Sequence, residues 1–168
     1  MNKDQLIEDL SLVRHEEGGF YKECFRSDHK IKTERKSNSG TRALATCIFY
    51  MLTDDYPIGY FHKNQSPILH FFHAGGPLIY RFIHPDGRTE KHILGPDIDK
   101  GHKLQLVGPG NCWKSTELIQ GESFGLISEV VFPGWEQDDW AMATQEELYS
   151  ALPQHRIWIE KYGYKNQV

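Results

Sequence analysis

Between residues 41 and 132 the chain breaks into short apolar runs separated by turn signals, and this punctuation restricts its fold more than any other feature. Asp54-Asp55-Tyr56-Pro57 and Gly75-Gly76-Pro77 each end a run, and His84-Pro85-Asp86-Gly87-Arg88 lies between two others. The last is a hairpin signal, because Asp-Gly tolerates positive φ. Strands are expected over 58–64, 68–73, 78–83, 89–94, 104–107, 112–117 and 123–132. Two more precede them: 20–27, after Gly18-Gly19, and 41–52, which is too apolar to alternate and reads as buried on both faces. About ten short strands with no helical stretch between them fit an antiparallel sandwich or barrel and exclude a parallel α/β sheet.

Helical spacing is confined to the ends. Leu6, Ile7, Leu10 and Val13 recur at helical intervals, with Asn2 and Gln5 spaced as a capping box. Thr144 and Glu147 have the same spacing ahead of a helix expected over 144–151, which Pro153 stops, and a short helix is expected over 154–161. The polar stretch 28–40 reads as a loop, with a ligand lid as the alternative. The expectation is one domain over 1–168, with a core at about 6–140 and a helical tail over 141–168.

Composition removes several function classes. Lys plus Arg number 19 against 23 Asp plus Glu, a net charge of -4 that speaks against nucleic-acid binding. No apolar run approaches the ~20 residues of a membrane helix, so no membrane partner is expected. Cys24, Cys47 and Cys112 form no CxxC spacing and read as reduced thiols in a cytoplasmic protein. Nine histidines and 12% aromatic residues raise two ideas, a metal centre and an aromatic-lined pocket.

Six segments, in order, carry a family resemblance. His15-Glu16-Glu17-Gly18-Gly19-Phe20-Tyr21-Lys22-Glu23-Cys24-Phe25-Arg26-Ser27 is followed by Cys47 to Leu52, then by His73-Ala74-Gly75-Gly76-Pro77-Leu78. Leu94-Gly95-Pro96-Asp97 comes next, then Gln105 to Pro109 with Trp113, and finally Phe132-Pro133-Gly134-Trp135. Together they resemble an uncharacterised cupin family, cupin type 5. The resemblance implies an all-β double-stranded β-helix, the jelly-roll barrel of sugar-epimerase-like cupins, commonly a homodimer. The chain departs from the family at Ser66-Pro67-Ile68 and His70, where relatives carry Ser-Asp-Glu and then a tryptophan.

Metal-binding cupins hold their ion with three histidines and a glutamate spaced G-x5-H-x-H-x3-4-E-x6-G and P-x-G-x2-H. Laid on this chain, the ligand positions fall on His62, Asn64, Ile68 and Lys114, so one ligand of four survives. A lysine ammonium offers no lone pair, and neither a metal nor another cofactor is expected. His70 and His73, three apart on a strand, point to opposite faces, and His15 reads as shaping a turn.

The expected ligand is therefore a small molecule held in the barrel cavity. Parity puts Tyr60 and His62 on one face of their strand, and sugar-epimerase-like cupins pair a barrel histidine with a tyrosine. His62 would then be the base and Tyr60 the acid, with a purely structural histidine as the alternative. Tyr21, Glu23 and Phe25 share a face and would contact ligand, or Glu23 would form a structural ion pair with Arg26 or Arg42. Gln105 and Trp113 are further contacts, with Trp113 as core filling the alternative. Lys114 or Arg26 would anchor an anion, with an outward, solvated lysine as the alternative for Lys114. Three readings stand: a metal-independent epimerase- or isomerase-like cupin acting on a carbohydrate or nucleotide-sugar-like ligand, a non-catalytic binding or storage-like cupin, and a metal-dependent dioxygenase. Dimerisation is expected through edge pairing of the apolar strand 41–52.

Overall fold

The computed structural model describes residues 2–34 and 40–165. Helix α1 (Lys3–Asp9) is followed by β1 (Val13–Arg14), β2 (Phe20–Arg26), β3 (Lys30–Lys32), β4 (Thr41–Ala43), β5 (Thr46–Thr53) and β6 (Ile58–Asn64). Then come β7 (Ile68–Gly75), β8 (Leu78–Ile83), β9 (Thr89–Leu94), β10 (Gln105–Gly108), β11 (Trp113–Leu118) and β12 (Phe124–Val131). Strand β13 (Trp140–Met142) and helices α2 (Gln145–Ala151) and α3 (Arg156–Tyr162) complete the order. Two antiparallel sheets face each other, β1-β2-β5-β12-β7-β10 and β13-β6-β11-β8-β9. This is the expected all-β jelly-roll barrel with short terminal helices.

Alternation explains the layers. Tyr50, Leu52, Leu78, Tyr80, Phe82, Leu94, Leu106, Leu118 and Ile127 point between the sheets and form the central core. Outside the five-stranded sheet, Phe61 and Ile83 pack on Leu148, Ile159 and Tyr162 of α2 and α3. Outside the six-stranded sheet, Leu6, Ile7 and Leu10 cover Met51, Phe124 and Leu126. The helical tail thus shields a sheet face that would otherwise be wet.

Several local expectations are corrected. The polar stretch 28–40 is not simply a loop, because β3 pairs with β4, setting Ile31 opposite Arg42; residues 35–39 lie outside the described residues. The run 41–52 is two strands, broken at Leu44-Ala45. Its longer part, β5, offers no free edge for dimerisation, since it lies between β2 and β12. Asn2 caps α1 by accepting from the Asp4 N–H at 2.9 Å, but Gln5 bonds forward to Asp9 instead of closing a box. The box at Thr144 and Glu147 is complete.

One turn delivers a residue into the barrel. Gly18 and Gly19 adopt φ of +104° and +71°, a conformation that side-chain-bearing residues rarely enter. A Cβ on Gly18 would overlap the Ile58 carbonyl oxygen, and its own carbonyl accepts from the buried Tyr50 hydroxyl at 3.0 Å. The turn is pinned to β6 by the Tyr60 N–H, which donates to the Glu17 carbonyl at 2.7 Å. We expect Gly18→Ala to cost more than ~2 kcal/mol, lowering the melting midpoint by roughly 5 °C or more. Gly101→Ala, at φ +81° but in open space, should cost only ~1 kcal/mol. Equal midpoints for the two variants would refute the packing argument.

Candidate functional site

A cavity of about 300 Å³ opens into the barrel between β2, β5, β6 and β12. Its walls include Tyr21, Tyr50, Trp135 and Trp140, with Ile48, Ile68 and Val131 as an aliphatic side. Polar groups converge among them: His15, Glu17, Glu23, His62, Asn64 and Glu129. A mostly apolar concavity with a few convergent polar groups is the form small-molecule sites take.

At its centre, Glu17 Oε2 lies 3.2 Å from His62 Nε2. The other imidazole nitrogen, Nδ1, is 2.8 Å from the Tyr60 carbonyl oxygen, which can only accept, so Nδ1 carries a proton. Nε2 of the neutral ring is then an acceptor facing the carboxyl. Burial pushes the Glu17 carboxyl up to about 8, an effect that the nearby Lys114 charge only partly opposes. Burial and the Lys114 charge likewise hold His62 well below its usual range. Both shifts favour a neutral pair in which protonated Glu17 donates to His62 Nε2. Trp140 Nε1 donates to Glu17 Oε1 and fixes the carboxyl plane.

A second charged layer lies beneath. Lys114 Nζ on β11 is 3.2 Å from Glu129 Oε1 on β12, and His70 Nδ1 is 3.0 Å from the same oxygen. Burial would raise the Glu129 carboxyl, yet the Lys114 ammonium and His70 hold it well below the usual carboxylate range. His15 flanks Glu17, accepts from the Glu17 backbone N–H at 3.1 Å, and is lowered by burial to about 4.

The four positions that correspond to the ligands of metal-binding cupins do converge here. His62, Asn64 and Ile68 all line the cavity, and Lys114 stands opposite His62 in register. The donors do not fit a divalent ion: one position is aliphatic, and another is an ammonium already paired with a carboxylate. Among the described residues no group of three or more His, Cys, Asp or Glu side chains is arranged to hold a metal. Among the described residues the dioxygenase reading therefore has no ligand set to rest on.

Of the residues singled out from sequence, His62, Tyr21 and Glu23 line the cavity. Two β-bulges remove others. On β6, His62 opposes Lys114 while Gly59 opposes Thr116, so β6 carries one residue more than β11 over this step. Alternation is broken, and Tyr60 turns its ring to Tyr164, with centroids 5.8 Å apart. Tyr60 contributes its carbonyl, not its hydroxyl. On β2, Glu23 opposes Ile48 and Phe25 opposes Cys47, so Cys24 is extra and Phe25 is 55% exposed.

The remaining assignments also need correction. Gln105 is exposed on an edge strand. Trp113 packs against the C-terminal helical cluster, with the Lys63 ammonium 4.8 Å from its ring centroid. Arg26 clamps Glu23 through two bonds of 3.0 and 2.8 Å, and Arg42 pairs with Asp139. Lys114 is buried against Glu129 instead of free to anchor an anion. Sequence reasoning overlooked Glu17, Glu129 and Trp140. Glu129 was detectable as a lone carboxylate in the apolar run Phe124–Val131.

These buried groups set a pH profile for stability. His15, His62 and His70 are all lowered, so between pH 6.5 and about 4 the unfolded chain binds protons that the folded one does not, and stability falls with acid. Glu17 acts oppositely: raised to about 8, its contribution is fully present below pH 4.5 and is lost as pH rises toward 8. The melting midpoint should peak near pH 6.5, and Glu17→Gln should flatten the fall between pH 6.5 and 8 and steepen the rise between pH 4.5 and 6.5, because the Glu17 contribution is lost across that whole window. An unchanged alkaline limb in that variant would sink the Glu17 assignment.

Comparisons with known proteins agree with this architecture. Residues 4–143 match the family model described as cupin superfamily (DUF985). The chain is 40% identical over 145 residues to the uncharacterised protein YML079W of Saccharomyces cerevisiae, covering 80% of this chain and 72% of that one. A hypothetical protein from Leishmania major superposes with a TM-score of 0.90 at 28% identity, over 98% of this chain and 100% of that chain. Protein SO0799 from Shewanella oneidensis gives 0.88 at 30% identity, over 99% of each. Bacillus subtilis oxalate decarboxylase shares the fold at a TM-score of 0.57 and 13% identity, over 96% of this chain and 39% of that chain. Sequence motifs, barrel topology and these relatives lead to one conclusion: the chain belongs to the DUF985 family of the cupin superfamily.

Proposed function

We propose that this cupin binds a carbohydrate-like small molecule and moves a proton on it, in the manner of an epimerase or isomerase, without a resident metal. The observation that carries this reading is the 3.2 Å contact between Glu17 Oε2 and His62 Nε2, with Nδ1 tied to a backbone carbonyl. The two side chains hold one proton between them, and either partner can carry it. In the tautomer with the proton on His62, the Glu17 carboxylate takes a proton from a carbon next to the ligand's carbonyl. The electron pair moves onto that carbonyl as an enolate, and the imidazolium balances its charge. Return of the proton from Glu17 to carbon completes the exchange. The pair replaces the His62 and Tyr60 assignment, because the Tyr60 hydroxyl is directed elsewhere.

A second reading, a cavity that only sequesters its ligand, is favoured by the aliphatic wall of Ile48, Ile68 and Val131. The two readings differ in one measurement: hydrogen–deuterium exchange at the ligand's acidic carbon, followed by NMR in D2O. We expect wild-type exchange to fall at least ~10²-fold in Glu17→Gln and in His62→Ala. The rate should also decline as pH rises through about 8, where Glu17 loses its proton. Exchange that survives both substitutions excludes the pair, and a bound compound that never exchanges favours sequestration.

We also propose a homodimer, through a surface different from the strand edge expected from sequence. Phe25, Cys47, Val130, Leu69 and Val107 stand in register across β2, β5, β12, β7 and β10. Their neighbours Glu23, Ile48, Glu129 and His70 face the interior, so this row faces outward, with Val107 58% exposed. An apolar row spanning five strands suits burial against its own symmetry copy. Light scattering should give twice the chain mass, and Leu69→Lys with Val107→Lys should halve it; a monomeric wild type refutes the proposal.

A further inference from the structure

A binding site recognises a charged ligand through counter-charges left free to meet it, and among the described residues the cations around this cavity are held either by carboxylates or against aromatic rings. Among the described residues three approach it. Arg26 holds both oxygens of Glu23 and reaches Glu136 at 3.2 Å. Lys114 is buried against Glu129. Arg14 lays its guanidinium over the Tyr56 ring, 3.3 Å from the centroid, and over Phe20 at 4.9 Å. Glu16 adds another carboxylate to the lining. A phosphate drawn to Arg26 or Lys114 would have to break that ion pair, stranding Glu23 or Glu129 beside a second anion, and one drawn to Arg14 would have to lift the guanidinium off its two rings.

What the cavity offers instead is uncharged. Trp135 Nε1 donates to Asn64 Oδ1 at 3.1 Å, which leaves the Asn64 amide hydrogens for a ligand. The Trp135 backbone N–H donates to Thr46 Oγ1 at 3.0 Å, leaving that hydroxyl free to donate. Both indole N–H groups are satisfied by protein, Trp135 by Asn64 and Trp140 by Glu17, so the two rings present apolar surface to the cavity. Ring surface beside neutral donors and acceptors is the chemistry that holds a hydroxylated ring. The volume of about 300 Å³ lies at the small end of ligand sites.

We infer that the cavity takes an uncharged, polyhydroxylated ring of monosaccharide size and discriminates against the phosphorylated and nucleotide-linked forms of that ring. This sharpens the carbohydrate reading above and rests on it. The test uses the whole protein and matched probes: D-glucose with glucose 6-phosphate and UDP-glucose, D-galactose with galactose 1-phosphate, and myo-inositol, by thermal shift and calorimetry. At least one uncharged ring should bind, tenfold or more tighter than its phosphorylated partner. Glu23→Gln combined with Glu136→Gln, which releases Arg26, should narrow that ratio by about tenfold. A phosphorylated or nucleotide-linked probe that binds wild type as tightly as its parent overturns the inference, as does a panel in which no uncharged ring binds. Preference is read without turnover, so the two proposals fail separately. Neutral preference without proton exchange refutes only the Glu17–His62 chemistry, and exchange confined to a phosphorylated ring refutes only the neutral-ligand inference.

Discussion

The ion pair between Lys114 and Glu129 is the interaction around which the interior is organised. Lys114 belongs to the five-stranded sheet and Glu129 to the six-stranded one, so their contact at 3.2 Å crosses the barrel. Neither charge could be buried alone, since removing one partner of such a pair typically costs 3–5 kcal/mol. Once paired, they set the field for their neighbours. The Lys114 charge acts on His15, His62, His70 and Glu17. It disfavours protonated histidine above it while Glu129 takes a hydrogen bond from His70. An ammonium at a position where other cupins place a metal ligand thus supplies fixed positive charge to the same place.

Above that layer, the site departs from the packing rules that the rest of the barrel obeys. A carboxyl enters the interior from a turn instead of a strand, and only a double glycine lets the backbone come close enough to β6 to deliver it. Burial then keeps Glu17 protonated, and the backbone carbonyl of Tyr60 fixes which imidazole nitrogen faces it. Two carboxyls in one cavity are driven in opposite directions, Glu17 upward by desolvation and Glu129 downward by its cation. Separation of two carboxyl titrations by their surroundings is how one pocket can hold both a proton donor and a fixed anion.

Much of the fold was legible because turn residues and apolar runs are local signals. Asp86-Gly87 between two apolar runs is a strong hairpin signal, and β8 and β9 do pair across it. Parity also worked where a strand is regular: Tyr21 and Glu23 share the inner face. It failed at Tyr60 and Phe25 for one reason, a single extra residue in each strand. A bulge leaves no mark in composition, yet it inverts every side chain beyond it. The site itself was half legible. His62 was accessible through motif spacing, whereas its partner Glu17 lies forty-five positions away and meets it only through the turn at Gly18-Gly19.

By itself the sequence determined the class of architecture, the terminal helices and the loss of metal donors, because each depends on residue type and near-neighbour spacing. Tertiary structure decided which charges are free. Arg26 and Lys114 look alike in sequence as anchors for an anion, but each is neutralised by a carboxylate brought from elsewhere in the chain, Arg26 by Glu136 in addition to nearby Glu23, and Lys114 by Glu129. Pairing of this kind is a long-range Coulomb and desolvation balance, set by which strands lie side by side, and no local pattern encodes it.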